Sequence, residues 1–172
     1  MITDPNGLLV INPGEGENTD LGGLGVDFKV SGDATRESLA IVEHPMEPGR
    51  LVPPHVHESE DELSYVLEGT FGVRVGDRVA TAGVGTYVFK PRGVPHTFWN
   101  AGSEPGRLLE VIWPAGFERF FESLGKLAQT AGSPEEFEAR RAELAAGYNL
   151  EFVPDWADEL KEQYGLKLLG EP

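Results

Sequence analysis

His55, His57, Glu62 and His96 are the residues whose types and spacing can do chemistry. Three of the chain's four histidines fall in this set. Neutral imidazole and carboxylate are natural ligands of a divalent cation, so the set predicts a metal site. Residues two apart in a strand share a face, which sends His55 and His57 to the same side. Pro53 and Pro54 stiffen the approach to them. Glu62 is expected to open the next strand after a turn over residues 58–61, and His96 to arrive from a distant one. Burying these groups without a partner would be expensive, and one cation removes that cost. Three imidazoles and one carboxylate leave two positions open on a six-coordinate metal, where substrate, water or dioxygen can bind. Iron, manganese, nickel, cobalt and zinc all suit this donor set, so the expected cofactor is one divalent transition metal from that group. Glu62 has a second candidate role as the catalytic base that takes a proton from a bound hydroxyl.

Strand alternation names the neighbours of these residues. Ser64 and Val66 share the face of Glu62, while Leu63, Tyr65 and Leu67 take the other. Phe98 and Asn100 share the face of His96. Ser64 and Phe98 are therefore candidate substrate-pocket residues, with core packing the alternative for Phe98. Asn100 is expected to end its strand by bonding a turn. Glu58, Glu60 and Asp61 read as a solvated turn rather than extra ligands. His44, outside the spaced set and followed by Pro45, reads as structural.

The elements that must position the set come in two styles. From about residue 7 to residue 113, short alternating stretches are separated by Gly, Pro and Asp, which suggests an antiparallel sandwich or barrel. Strands are expected at 7–11, 26–30, 39–44, 63–67, 71–75, 78–80, 86–89, 96–99 and 108–113, with a hairpin at Val75-Gly76-Asp77-Arg78. After Pro114 the pattern turns helical. Phe117, Phe120, Phe121 and Leu124 predict an amphipathic helix, expected to cover the outer face of a sheet or pack across a dimer rather than act as a lid. Ser133-Pro134-Glu135-Glu136 predicts an N-cap and a helix from Pro134 to about Ala146, ending at Gly147. Asp155 is expected to cap a third helix, 156–164, stopped by Gly165. Trp99, Trp113 and Trp156 read as packing anchors.

Composition removes several classes of function. The 172-residue chain is of single-domain size, and 40% hydrophobic residues support a folded core. A net charge of −15 argues against nucleic acid. Most of that acidity lies in the flanks, 1–48 and 115–172, where it serves solubility. No apolar stretch suits a membrane span, and no basic and apolar leader opens the chain, so a soluble cytoplasmic protein is expected. With no cysteine, disulfides and thiolate ligands are excluded.

Two spaced motifs carry a resemblance. Gly49, five residues, His55-x-His57, four residues, Glu62, six residues and Gly69 form the first. Gly85, five residues, Pro91-x-Gly93, two residues, His96, three residues and Asn100 form the second, after a spacer over 70–84. Both are similar to the motifs of the cupin superfamily. The resemblance implies a mainly β fold, a double-stranded β-helix or jelly-roll barrel over 1–113, with the metal in its mouth. A helical C-terminal extension over 114–172 would pack on that barrel. Among cupins the chain looks most like the quercetin-dioxygenase-like group. This implies a dioxygenase acting on a flavonol- or enol-type small molecule, in which Glu62 deprotonates the substrate hydroxyl. The same ligands serve redox-neutral cyclases and isomerases, and a non-catalytic binding cupin is the third reading. The resemblance also implies a homodimer, with 7–11 as a candidate edge strand for exchange.

Overall fold

Buried residues at every second position, Ala40, Val42, His44 and Met46, then Glu62, Ser64 and Val66, then Gly106, Leu108, Glu110 and Ile112, build the centre of a six-stranded sheet. The computed structural model describes Gly7 and residues 9–172. Its first half contains β1 (Asn18–Asp20), β2 (Gly25–Val30), a one-turn α1 (Gly32–Thr35), β3 (Ala40–Met46), β4 (Arg50–Leu51), β5 (His55–His57) and β6 (Asp61–Glu68). Next come β7 (Thr70–Val75), β8 (Arg78–Gly83), β9 (Tyr87–Lys90), β10 (His96–Asn100) and β11 (Gly106–Trp113). The C-terminal part holds α2 (Glu118–Thr130), α3 (Pro134–Gly147), β12 (Leu150–Phe152), α4 (Pro154–Tyr164) and β13 (Lys167–Leu168).

Two sheets make a jelly-roll architecture. One runs β1-β2-β3-β11-β6-β9, and the other β12-β5-β10-β4-β13 with β7 on β10 and β8 on β7. Between them lies an apolar cluster that includes Met46, Val66, Phe71, Val73, Phe98 and Leu108. Packing here leaves little slack. A Cβ on Gly72 would overlap the indole of Trp99, so only glycine lets β7 pass that ring.

The expected hairpin forms, with Val75 opposite Arg78 and Gly76 at φ +56°. Ser133 caps α3 by accepting from the Glu136 N–H at 3.2 Å. Gly165 ends α4 in the left-handed region. Several expectations are corrected. Asp155 does not cap α4: Val153 holds that position, Pro154 begins the helix, and Asp155 lies in its first turn. No named strand forms at 7–11 among the described residues, and Leu8 lies outside them.

Beyond residue 113 the chain supplies strands as well as helices. β12 pairs with β5 through Leu150↔His57 and Phe152↔His55, and β13 runs parallel to β4. α2 does not cover an outer face. Phe117 and Phe120 pack with Val26, Val42 and Ile112, which belong to the inner face of the first sheet. Burying each phenylalanine is worth roughly 1.5–3 kcal/mol, so α2 is bound to the barrel mouth. Trp99 packs with Leu51, Leu160 and Leu166, Trp113 stacks on Phe89, and Trp156 lies under the Arg74 guanidinium. Among the described residues, no helix is long and apolar enough to cross a membrane.

Candidate metal centre

β5 presents His55 and His57, β6 presents Glu62 and β10 presents His96, which is the register partner of His55. All four side chains are buried, and one ligand atom from each lies within 4.8 Å of the others. The glycines of the spaced motifs take part in this convergence. Gly93, at φ +71°, donates its N–H to the His57 carbonyl at 2.8 Å. Gly49 likewise donates to the Asn100 carbonyl at 3.0 Å, and Asn100 accepts from the Gly102 N–H at 2.9 Å, closing the expected turn.

The hydrogen bonds fix which nitrogens face inward. His55 Nδ1 lies 2.7 Å from the Pro53 carbonyl, and His96 Nδ1 lies 3.0 Å from that of Val94. A carbonyl only accepts, so Nδ1 carries the proton in each ring and Nε2 keeps a bare lone pair. Burial, together with the neighbouring imidazoles, holds His55 well below the usual histidine range, and burial lowers His96 as well. Neutral rings are the form that can ligate. His57 Nε2 lies 3.4 Å from Glu62 Oε1, and its Nδ1 lies 3.6 Å from Glu60 Oε2.

This arrangement tests whether a cation fits. Both nitrogens of His57, Nε2 of His96 and Oε2 of Glu60 are buried without a hydrogen-bond partner. Buried orphan groups of this kind are costly, and a divalent metal among three imidazoles and a carboxylate satisfies those that face it. The residues present therefore fit the metal. Glu60 departs from the solvated-turn expectation: it is buried and faces the outer nitrogen of His57. Glu58 is exposed, and Asp61 accepts from Arg92 at 2.8 Å.

Two buried charges beside the cluster escaped the sequence reading. Lys90 Nζ lies 2.9 Å from Glu62 Oε2 and 2.9 Å from Glu110 Oε1. Burial would lower Lys90, but the two carboxylates outweigh it and raise the ammonium. Burial alone would raise Glu62; Lys90, His57 and His96 together hold it well below the carboxylate range. For Glu110 burial wins over the ammonium and pushes the carboxyl up to about 7. Ser64, a candidate pocket residue, donates to Glu110 at 3.0 Å, and it is Glu110 that lines the cavity over the cluster.

A cavity of about 470 Å³ opens over the cluster. His55, Glu62 and Glu110 reach its surface, and Phe98, Phe117, Phe120, Phe121 and Leu124 form much of its wall. The α2 aromatics thus line the site, and Phe117 meets the His57 ring edge-on at 4.1 Å between centroids. Phe98 lines the cavity and also belongs to the core. His44 has the expected structural bond, Nδ1 to the Gly25 carbonyl at 3.0 Å, and lines the cavity as well.

Comparison with known proteins agrees with this fold. Residues 43–112 match the Cupin domain family. No curated protein matches the sequence. Among solved structures, KdgF from Halomonas sp. is 18% identical, with 65% of this chain and 98% of that one covered and a TM-score of 0.59. An RmlC-like cupin from Shewanella frigidimarina is 24% identical over 65% of this chain and 96% of that one, TM-score 0.55. The polyketide cyclase RemF from Streptomyces resistomycificus is 26% identical over 62% of this chain and 79% of that one, TM-score 0.54. The family match stops before α2, so the phenylalanines that α2 brings to the cavity lie outside it. Residues 43–112 match a cupin domain, and the fold is that of the cupin superfamily.

Proposed function

We propose that this protein is a metal-dependent enzyme acting on an enol- or flavonol-type aromatic small molecule, with His55, His57, Glu62 and His96 as the ligands of one divalent transition metal. The observation that carries the reading is the buried three-histidine, one-glutamate cluster opening into a phenylalanine-walled cavity of about 470 Å³. That volume suits a small molecule of two or three fused rings, and phenylalanine faces favour a flat apolar body. At the cluster end His55, Glu62 and Glu110 reach the cavity, with Glu138 and Arg141 farther out, so the substrate's reacting hydroxyl or carbonyl would be drawn to the inner set. Bound in this place, a divalent metal would supply Lewis-acid stabilisation for a substrate oxygen.

Dioxygenation is the first reading, in which both atoms of dioxygen enter the substrate. A redox-neutral cyclase or isomerase is the second, and a specific observation favours it. Glu110 is a further carboxylate on the cavity surface, pushed up to about 7, which suits proton transfer without an oxidant. The likeness to a polyketide cyclase points the same way.

Oxygen uptake with a flavonol, on protein reloaded in turn with iron, manganese, nickel, cobalt and zinc, separates the readings. Uptake with at least one metal supports the dioxygenase. Turnover that proceeds anaerobically supports the redox-neutral enzyme. Tight binding without turnover under either condition contradicts an enzyme and supports a binding protein.

We also propose a homodimer. On β9, an edge strand, Tyr87 and Phe89 are 67% and 52% exposed, beside Tyr65 and Trp113. An exposed aromatic patch of this kind suits an interface, and sedimentation at a dimer mass checks it.

A further inference from the structure

Lys90 and Glu110 are charges that a metal site alone does not require. They are 2% and 1% exposed, and removing charges from water is costly unless each is paired. Lys90 by itself would suffice to orient Glu62. Glu110 adds a second negative charge to the same interior, and the strands arrange for it to be there. Lys90 is the register partner of Glu62 across β9 and β6, while Glu110 is the partner of Ser64 across β11 and β6. The ammonium lies behind the cavity wall, between two carboxylates that both face the cavity.

The two carboxylates are not equivalent. Glu62 accepts from Lys90 through Oε2 and turns both oxygens toward the imidazole cluster, Oε1 3.4 Å from His57 Nε2 and Oε2 3.2 Å from His96 Nε2, so it is committed to the proposed metal. Glu110 gives Oε1 to Lys90, while its Oε2 meets only the Ser64 hydroxyl, at 3.0 Å. Ser64 has one proton and is also 3.2 Å from Oε1, so it satisfies one oxygen at a time. Glu110, which lines the cavity, thus has in Oε2 a carboxylate oxygen with capacity to spare.

From this geometry we infer that Glu110 is the catalytic residue that takes up and returns the substrate's proton, with Lys90 as the positioning residue that holds it beside Glu62. The inference rests on the enzymatic reading above and moves the base from Glu62 to Glu110. An O–H or C–H bond of the enol-type substrate breaks, and its electron pair stays on the substrate as an enolate. The proton forms an O–H bond with Glu110 Oε2 and later returns to the product. No oxidant is consumed in this step. Around Glu110 the charged or titratable neighbours are Lys90 from β9, Glu62 from β6 and His44 from β3, with Glu138 and Arg141 of α3 farther out on the cavity wall. The carboxyl's rise to about 7 allows it to exchange a proton near neutrality.

The test uses the metal-loaded full chain, Glu110→Gln, Lys90→Met, and a flavonol whose absorption shifts on ionisation. Wild type should bind the flavonol in its ionised form. Glu110→Gln should keep the metal and bind the flavonol with similar affinity but in its neutral form, and kcat should fall about 100-fold or more with KM little changed. Lys90→Met should lose less kcat and move the acidic limb of the pH profile. A Glu110→Gln protein that still ionises the flavonol and keeps kcat within about threefold overturns the inference. If wild type neither binds nor converts any flavonol, the proposed function fails. Glu110 is then judged by infrared titration of the carboxyl band that Glu110→Gln deletes. A band that titrates near neutrality supports a proton-exchanging group, and a carboxyl that stays ionised throughout overturns it.

Discussion

The barrel interior is made of two materials, and the same strands carry both. At the base, Val66 of β6 and Leu108 of β11 pack with Phe71, Val73 and Phe98. Toward the mouth, Glu62 and Ser64 of β6 and Glu110 of β11 face Lys90, His57 and His96. Both ends are equally dry: Phe71 is fully buried, and Lys90 and Glu110 are nearly so. The pleat decides which residues enter the barrel, and only residue type decides whether they form a core or a site. The base holds together by contact alone. The mouth holds only if every charge keeps its partner.

Breaking each end should therefore cost similar amounts for different reasons. Lys90→Met leaves Glu62 and Glu110 facing each other without a cation, and should destabilise the protein by about 3–5 kcal/mol in denaturant melts. Adding Glu110→Gln to that variant should recover part of the loss. Phe71→Ala at the base should also cost about 3–5 kcal/mol, but Glu110→Gln should bring no recovery there. Rescue of both variants, or of neither, contradicts the division.

The pH response sharpens the same contrast. Burial raises Glu110 from 4.5 to about 7, so the stability it contributes is whole below the lower value and lost as pH rises through the upper one. The Tm of Glu110→Gln should gain on wild type as pH is raised from about 5 to about 8. His44 has the opposite sign. Burial lowers it from 6.5 to about 4, so its stability is whole above the first value and lost as pH falls toward the second. His44→Gln should flatten the acid side of the Tm profile. The smallest effect is expected at Ser64→Ala, which removes one hydrogen bond to Glu110 and should cost about 1 kcal/mol.

The division also explains what the chain disclosed before folding. His55, His57, Glu62 and His96 were legible because three scarce histidines recur at strand spacing between motif glycines. Most strands, the hairpin at Gly76 and the α3 cap were legible from alternation and turn chemistry. Lys90 was hidden because β9 inverts the usual pattern: Tyr87 and Phe89 point out and Lys90 points in. Glu110 sits in Leu108-Leu109-Glu110-Val111-Ile112, where both faces are apolar and no alternation shows which one the glutamate takes. The role of α2 was hidden for another reason. Phe117, Phe120 and Phe121 announce an amphipathic face, but periodicity does not say which surface it meets. Only the tertiary arrangement turns them toward His57 and the cavity.

The most direct test of the account is elemental analysis of the purified full-length protein, with calorimetric reloading after chelation. Wild type should hold one divalent transition metal per chain and rebind it stoichiometrically. His57→Ala should hold little or none, while Phe71→Ala, folded at low temperature, should still hold one. A wild-type chain that binds no such metal, or a His57→Ala chain that binds it as well as wild type, contradicts the metal centre on which the rest depends.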